Sequence, residues 1–148
     1  NAKFTVIALL TYFYKVHFMK ISPDDKRIKE QNLNSTLTIN YSGDDYITFA
    51  AVAMGAVGVL SVASHVVGKE IKEMVQCIKN NNMDRARELH LQLYPMFKGM
   101  FVTANPIPVK TAMNMVGWGV GHLRMPLCEM EDANAAKLEK AMIECGLL

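Results

Sequence analysis

The segment FVTANPIPVK (Phe101–Lys110) decides how the second half of this chain folds. Its two prolines fix φ at both sites, and each biases the preceding residue, Asn105 or Ile107, toward an extended conformation. Pro108 also suits the first turn of a helix, where the missing N–H is not needed. The segment therefore predicts a rigid elbow that leads into a helix over Val109 to about Val116.

Upstream of the elbow, strand and helix patterns alternate. Strands are predicted over Thr36–Tyr41 and Val57–Val62, and helices over Tyr46–Met54 and after Gly68. We expect Asp44 or Asp45 to cap the first of these helices and Gly55 to end it. The order strand, helix, strand, helix is typical of an α/β fold with a parallel sheet.

From Met83 onward the pattern is helical. We expect Asp84 to cap a long helix and Pro95 to kink it. The side chains predicted to point inward from this helix are Leu89, Leu93, Met96, Phe97, Met100 and Phe101. A glycine-rich loop, Gly117–Gly121, precedes a last helix that Asp132 is expected to cap and Gly146 to end.

The composition excludes several classes of protein. With 148 residues and a net charge of +2, the chain has no basic stripe typical of nucleic-acid binding. Its three widely spaced cysteines predict neither a disulfide framework nor a zinc site, and a reducing cytoplasm is the expected location. The four histidines lack metal-ligand spacing, so we expect no metal.

The amino-terminal segment is apolar and aromatic. The chain starts at Asn1 rather than at methionine, which suggests a fragment or a processed product. Phe4–Tyr14 is shorter than the roughly 18 residues of a membrane span and lacks a convincing cleavage site. A buried strand or helix is the favoured interpretation, and a peripheral membrane segment is the alternative.

Several motifs occur in the order in which a known enzyme family carries them. They are YSGDD (Tyr41–Asp45), GVLSVASHV (Gly58–Val66), FVTANPIPVK with the following TAMN, LRMPL (Leu123–Leu127) and the terminal GLL. On these motifs, Tyr41–Leu148 resembles the C-terminal half of the dihydrodipicolinate synthase family, whereas Asn1–Asn40 does not. The LRMPL motif also allows a cis peptide bond before Pro126.

The resemblance implies a lyase that condenses pyruvate with aspartate semialdehyde on the diaminopimelate route to lysine. It implies a partial (β/α)₈ TIM barrel, because a complete barrel needs about 250 residues. The expected regions are a divergent segment 1–40, the last β/α units 41–82 and a C-terminal segment of three helices 83–148. The resemblance also implies that Gly43 and Leu60 line the pyruvate pocket, that no cofactor is needed, and that the chain forms a homo-oligomer.

Catalysis in this family requires a lysine that forms a Schiff base, in a Lys-Glu-Ala-Ser/Thr motif upstream of the Ser-Gly-Asp-Asp segment. Lys20 is the nearest positional match, but its context, Lys20-Ile21-Ser22-Pro23, lacks that motif. We therefore favour a solvated lysine and expect a chain that is inactive alone. The alternative function is a non-catalytic remnant that acts as an oligomerisation or interaction module, and a third hypothesis makes Phe4–Met19 an interfacial anchor.

Overall fold

The computed structural model describes residues 18–20, as backbone, and residues 40–148. The predictions for Phe4–Tyr14, for most of the anchor segment and for the start of the strand at Thr36 lie outside the described residues. The chain divides into two compact units, residues 1–60 and 61–148. Each unit is described separately below.

The first unit contains a three-stranded sheet in the order β1 (Phe18–Lys20), β2 (Asn40–Ser42), β3 (Gly58–Val59). Strand β1 pairs antiparallel with β2, and β2 pairs parallel with β3. Helix α1 (Thr48–Ala53) connects the two parallel strands, so the predicted strand–helix–strand order is confirmed. Strand β3 is shorter than predicted, because it follows β2 through only two register pairs.

Helix α1 begins later than the sequence pattern indicated. The carboxylate of Asp44 accepts a hydrogen bond from the Tyr46 N–H at 2.8 Å, which closes a turn before the helix. The N-cap residue is Ile47, whose side chain makes no capping bond. Gly55 ends the helix as predicted, with a φ of +103° that favours glycine.

The second unit consists of four helices, α2 (Ser64–Lys79), α3 (Met83–Gly99), α4 (Ile107–Met115) and α5 (Asp132–Glu144). Helix α3 packs against α2 and α5, and α4 packs against both α5 and α2. The core is built from large apolar side chains that are almost wholly inaccessible: Val67, Met74, Leu89, Leu93, Met96, Phe97, Met100, Leu138 and Met142. This burial is the main source of stability for the unit.

The predicted inward residues of α3 are buried with one exception. Phe101 is 47% exposed, because it lies beyond the helix end at Gly99 and continues the outward line of Tyr94, seven residues earlier. The cap of α3 is also different from the prediction. Asn82 accepts a hydrogen bond from the Arg85 N–H at 3.4 Å, whereas Asp84 lies in the first turn. The helix runs on through Pro95 to Gly99.

Two further helix starts differ from prediction. Helix α2 begins at Ser64, four residues before Gly68, because the Ser61 hydroxyl accepts a hydrogen bond from the Ser64 N–H at 2.8 Å. Its backbone is non-helical at Val67 (φ −123°, ψ 33°), which marks a kink. Helix α5 has Glu131 at its N-cap position, without a side-chain bond, and Asp132 as its first residue. Gly146 ends α5 as predicted, at φ +73°.

The elbow differs from prediction in one respect. Ile107 is helical rather than extended, because α4 already begins there and Pro108 lies in its first turn. Ile107, Pro108 and Val109 are buried. The peptide bonds before Pro106 and Pro126 are both cis, as the sequence allowed for the second. Among the described residues, no helix has the length and apolar character needed to cross a membrane.

Candidate functional site

The turn that follows β2 is held by side chains rather than by apolar packing. The backbone carbonyl of Asp44 accepts two hydrogen bonds, from the Ser42 hydroxyl at 2.8 Å and from the Thr48 hydroxyl at 2.9 Å. The Asp44 carboxylate accepts a third bond, from the Tyr46 N–H. Gly43 lies inside this turn and is exposed, so its backbone is accessible to a ligand.

Three polar side chains of this turn are buried. Ser42 is fully inaccessible, and Asp45 and Thr48 are each 1% exposed. Burial of this kind is stable when hydrogen bonds satisfy the polar atoms, as the bonds of Ser42 and Thr48 to Asp44 do. The sequence patterns considered above do not identify Ser42 and Thr48 as residues of the site. The available signal was a serine at a strand end with a threonine four residues after Asp44.

The second predicted binding residue lies at the same edge of the sheet as Gly43. Parallel pairing sets Ser42 beside Val59, so β2 and β3 end at neighbouring positions. The Leu60 N–H continues the ladder by donating to the Ser42 carbonyl at 2.8 Å. The side chain of Leu60 is 48% exposed. We call this edge, formed by Gly43 and Leu60 at the C-terminal ends of the two strands, the carboxyl edge.

Lys20 lies at the other end of the sheet. Because β1 is antiparallel to β2, the register pairs Lys20 with Asn40 and Phe18 with Ser42. Asn40 is the first residue of β2, so the Lys20 backbone is about 10 Å along the strand from Gly43. The structure thus brings Gly43 and Leu60 together, and it does not bring the backbone of Lys20 to them.

The two aspartates of the turn have different environments. Asp44 uses its carboxylate on a local backbone N–H, which is a turn-closing role rather than the expected helix cap. Asp45 is buried, and its backbone carbonyl accepts the Thr48 N–H at 3.3 Å. Within the described part of the chain, no group of three or more His, Cys, Asp or Glu side chains could hold a metal ion.

Lys110 and Asn114 of α4 fasten the glycine-rich loop that follows the helix. The Lys110 ammonium donates to the His122 carbonyl at 2.6 Å, which is a structural role. The Asn114 side chain accepts from the Val120 N–H at 2.9 Å and donates to the Gly121 carbonyl at 3.2 Å. Trp118 lies in this loop and is 67% exposed.

Burial is the main cause of a shifted pKa at two titratable groups of the second unit. Desolvation by burial lowers the pKa of His90, whose ring contacts those of Tyr94 and Phe97 with centroids 6.1 and 5.9 Å away. Desolvation also raises the pKa of the Cys145 thiol, which donates to the Gln92 carbonyl at 3.3 Å. Both groups belong to the helical core and its rim.

Sequence comparison and structure comparison both find dihydrodipicolinate synthases as similar proteins. A 4-hydroxy-tetrahydrodipicolinate synthase from Nostoc punctiforme is 49% identical over 108 residues, which is 73% of this chain and 37% of that protein. A crystallised dihydrodipicolinate synthase superposes with a TM-score of 0.75 at 36% identity, over 97% of this chain and 50% of its own. The enzyme from Acinetobacter baumannii, crystallised with pyruvate, superposes with a TM-score of 0.69 at 27% identity, over 73% of this chain and 37% of its own.

The chain therefore spans about a third to a half of the length of these relatives. The model of the dihydrodipicolinate synthetase family matches residues 5–144. This match begins well upstream of Tyr41, so the similarity extends into the segment in which the sequence motifs gave no resemblance. On the extent of the family match and on the identity to the relatives, this chain belongs to the dihydrodipicolinate synthetase family.

Proposed function

We propose that the carboxyl edge is part of the pyruvate-binding wall of a dihydrodipicolinate synthase, and that this chain does not catalyse the condensation alone. The observation that supports the proposal is the parallel register of β2 and β3, which pairs Ser42 with Val59, so that Gly43 and Leu60 each directly follow the last paired residue. In α/β proteins, ligands bind at the carboxyl ends of parallel strands.

The two residues suit the two ends of pyruvate. The exposed backbone at Gly43 allows close approach of a carboxylate or carbonyl oxygen, since no Cβ intervenes. Leu60 offers an exposed apolar side chain for the methyl group. Ser42 and Thr48 hold the Asp44 carbonyl from the interior and thereby set the path of the backbone at Gly43. They are positioning residues in this proposal.

In the complete reaction a lysine amine attacks the pyruvate carbonyl and releases water to form an imine. Loss of a methyl proton gives the enamine, which attacks the aldehyde carbon of aspartate semialdehyde. The amine of the second substrate then closes the ring and displaces the lysine. The lysine must be neutral to attack, so it needs a depressed pKa.

Two observations support the proposal that this chain lacks that lysine. The backbone of Lys20 pairs with Asn40, away from the carboxyl edge, and the residues after it do not form the family motif. The chain also spans only 37% of the Nostoc punctiforme relative. We infer that residues 41–82 are the last β/α units of a TIM barrel and that 83–148 are the three helices appended to it. The amine then comes from the rest of the barrel.

Borohydride trapping tests this proposal. The chain is incubated with pyruvate, reduced, and examined by intact mass and by peptide mapping, with a full-length synthase treated in parallel. We expect an adduct on the full-length enzyme and none on this chain. A single pyruvyl adduct on Lys20, or on any other one lysine, would refute the proposal of inactivity.

The contribution of the carboxyl edge is tested separately. Gly43→Val and Leu60→Asp are introduced at the matching positions of the full-length synthase, which is trapped with pyruvate at several concentrations. We expect weaker adduct formation in both variants, because the first adds a Cβ at the ligand and the second removes an apolar contact. Normal trapping in both would remove Gly43 and Leu60 from the pyruvate site.

A second candidate function is that of a non-catalytic interaction module. The observation in its favour is the number of large apolar side chains that are exposed among the described residues, including Leu91, Tyr94 and Phe101 on one side of α3. Exposed apolar residues that are contiguous mark association surfaces. Sedimentation of the purified chain over a range of concentrations tests this function, and a monomer at every concentration would refute it.

A further inference from the structure

Sulfur-containing side chains are concentrated in the loop between α4 and α5. Within six residues this loop holds Met125, Cys128 and Met130. Met125 is 89% exposed, the highest value among the large apolar side chains of the described residues. Cys128 is exposed as well, and Met130 is half-buried. We call these three residues the sulfur segment.

Hydrogen bonds within the loop set the position of Met125. The Leu127 N–H donates to the Arg124 carbonyl at 3.0 Å, so Met125 lies at a corner of a tight turn. The Glu129 carboxylate, two residues beyond this turn, accepts from the Leu123 N–H at 3.4 Å and so ties the two sides of the turn together. The backbone path defined by these bonds leaves the Met125 thioether in contact with water.

The other methionines of residues 40–148 have very different environments. The wholly inaccessible ones, which form part of the helical core, are Met74, Met96, Met100 and Met142. Met54, at the C-terminal end of α1, is 79% exposed. Oxidation converts a flexible apolar side chain into a polar one, which disrupts a packed core. At Met125 no core packing is lost, so this sulfur can be oxidised while the fold is retained.

We propose that Met125 is a site of reversible oxidation, which hydrogen peroxide converts to methionine sulfoxide and a methionine sulfoxide reductase restores. In the first step the thioether sulfur attacks one peroxide oxygen, an S=O bond forms as the O–O bond breaks, and water leaves. The sulfur loses two electrons and the peroxide gains them. In the return step two thiols of the reductase supply two electrons and become a disulfide, and the oxygen leaves as water. The proposal goes beyond the pyruvate site and does not depend on it.

The backbone around Met125 suits an enzyme that must enclose the oxidised side chain. Residues 116–131, which connect α4 to α5, form neither helix nor strand, so the chain is accessible on both sides of Met125. Met54, by contrast, closes α1, and its N–H donates to the Ala50 carbonyl at 3.0 Å. Loops carry recognition sites more often than regular elements do. Met125 is therefore the preferred substrate of the reductase, and Met54 is the comparison.

Peptide mapping after peroxide treatment is the first test. The full 148-residue chain is exposed to hydrogen peroxide for increasing times, quenched, alkylated at its thiols and digested with trypsin. Cleavage after Arg124 and Lys137 gives one peptide with the whole sulfur segment, and its fragment masses locate each added oxygen. We expect Met125 to react faster than Met130, which is an internal control in the same peptide. Oxidation of Met54 shows that the reagent is active.

The core methionines give the lower limit of the reaction rate. Met96 and Met142 should react more than about tenfold more slowly than Met125, because a wholly buried sulfur reacts only when the structure around it opens. Met125→Leu is the matching variant, since it replaces the thioether by a side chain of similar size. Its early oxygen uptake should fall by the amount that Met125 contributes, with uptake at Met54 unchanged.

Reversibility and retention of the fold are measured on the oxidised chain. Methionine sulfoxide reductases of both epimer specificities are added with a thiol reductant. We expect them to remove the oxygen from Met125 faster than from Met54. The fold is then tested in the variant Met54→Leu, which lacks the other exposed methionine of the described residues. Its urea midpoint, followed by circular dichroism, should be the same before and after oxidation at Met125.

Three outcomes would overturn the proposal. Oxidation of Met125 no faster than that of Met130 or Met142 would show that the turn does not expose this sulfur. A sulfoxide at Met125 that neither reductase removes would refute reversibility. A lower urea midpoint after oxidation at Met125 would show that the side chain contributes to packing. All of these measurements are made without pyruvate, so they can fail or succeed independently of the borohydride trapping.

Discussion

Different interactions stabilise each of the two units of the molecule. The helical unit buries large apolar side chains such as Phe97, Met96 and Leu138. The buried residues described in the sheet unit are small or polar: Ser42, Asp45, Thr48, Ala51, Val52, Ala56 and Gly58. Packing of large side chains therefore stabilises the scaffold, whereas hydrogen bonds to one carbonyl shape the candidate site. Substitutions at the candidate site should therefore change only nearby structure. Substitutions in the helical core should change the free energy of unfolding of the whole helical unit.

The largest effect is expected at Phe97, which is fully buried in the last turn of α3. Phe97→Ala should lower the free energy of unfolding of the helical unit by about 3–5 kcal/mol, through lost burial and a residual cavity. Urea denaturation followed by circular dichroism measures it. Phe101→Ala is the matched control and should cost less than about 1 kcal/mol, because Phe101 is half exposed. Equal losses would contradict the packing account.

Gly99 gives a second way to sharpen the comparison. A Cβ at this position would lie 3.2 Å from both the Ala141 Cβ and the Leu138 Cδ1 of α5. Gly99→Ala should therefore destabilise the α3–α5 contact by about 1–3 kcal/mol through overpacking. Gly68→Ala is the control, because its nearest atom is 3.8 Å away and alanine favours helix, so it should be neutral or stabilising by up to about 1 kcal/mol. An unchanged stability of Gly99→Ala would show that α5 can move away from the added methyl group without cost.

In the sheet unit a local change is expected instead. Asp44→Ala removes the acceptor of the Tyr46 N–H and should cost about 1 kcal/mol. Hydrogen exchange read by NMR should show faster exchange at Tyr46, with unchanged protection at Leu93 in α3. The control Asp84→Ala loses only an exposed pair with Arg87 and should change stability by less than about 0.5 kcal/mol. Faster exchange at Leu93 would contradict the expectation that the effect of Asp44→Ala is confined to the turn.

The smallest effect concerns pH. Burial lowers the pKa of His90 in the folded state. The unfolded chain then binds more protons below about pH 6.5, so stability that is present above this value is lost as the pH falls. Urea midpoints of the helical unit should fall between about pH 7.5 and about pH 5.5. His90→Phe should make this dependence weaker, and an identical pH dependence in the variant would contradict the role of His90.

Much of the helical unit could be predicted because its signals are local. The helical period identified Leu89, Leu93, Met96, Phe97 and Met100 as core, and the structure confirms all five. The prediction for Phe101 was wrong, because this residue lies two positions beyond the helix end at Gly99 and continues the outward line of Tyr94. The prediction of an extended Ile107 was wrong as well. The helix that begins at this residue outweighs the conformational bias imposed by the following proline.

The candidate site was predictable in part for the same reason. Parallel order alone implies that the residues after β2 and β3 share an edge, and Gly43 and Leu60 do. The bonds of Ser42 and Thr48 to the Asp44 carbonyl depend on the path of the turn, which no periodicity encodes. The antiparallel direction of β1 could not be predicted either, because strand pairing is a tertiary property. This direction decides where the backbone of Lys20 lies.

The glycine-rich loop has a consequence for spectroscopy. The chain contains one tryptophan, Trp118, and it is 67% exposed in the loop that Lys110 and Asn114 hold against α4. Its fluorescence therefore starts from a hydrated indole and should change little when the buried core around Phe97 unfolds. A shift in its emission reports release of the loop from α4. Fluorescence and circular dichroism followed on one sample would therefore distinguish two events. The first is release of the glycine-rich loop from α4, and the second is unfolding of the helical unit.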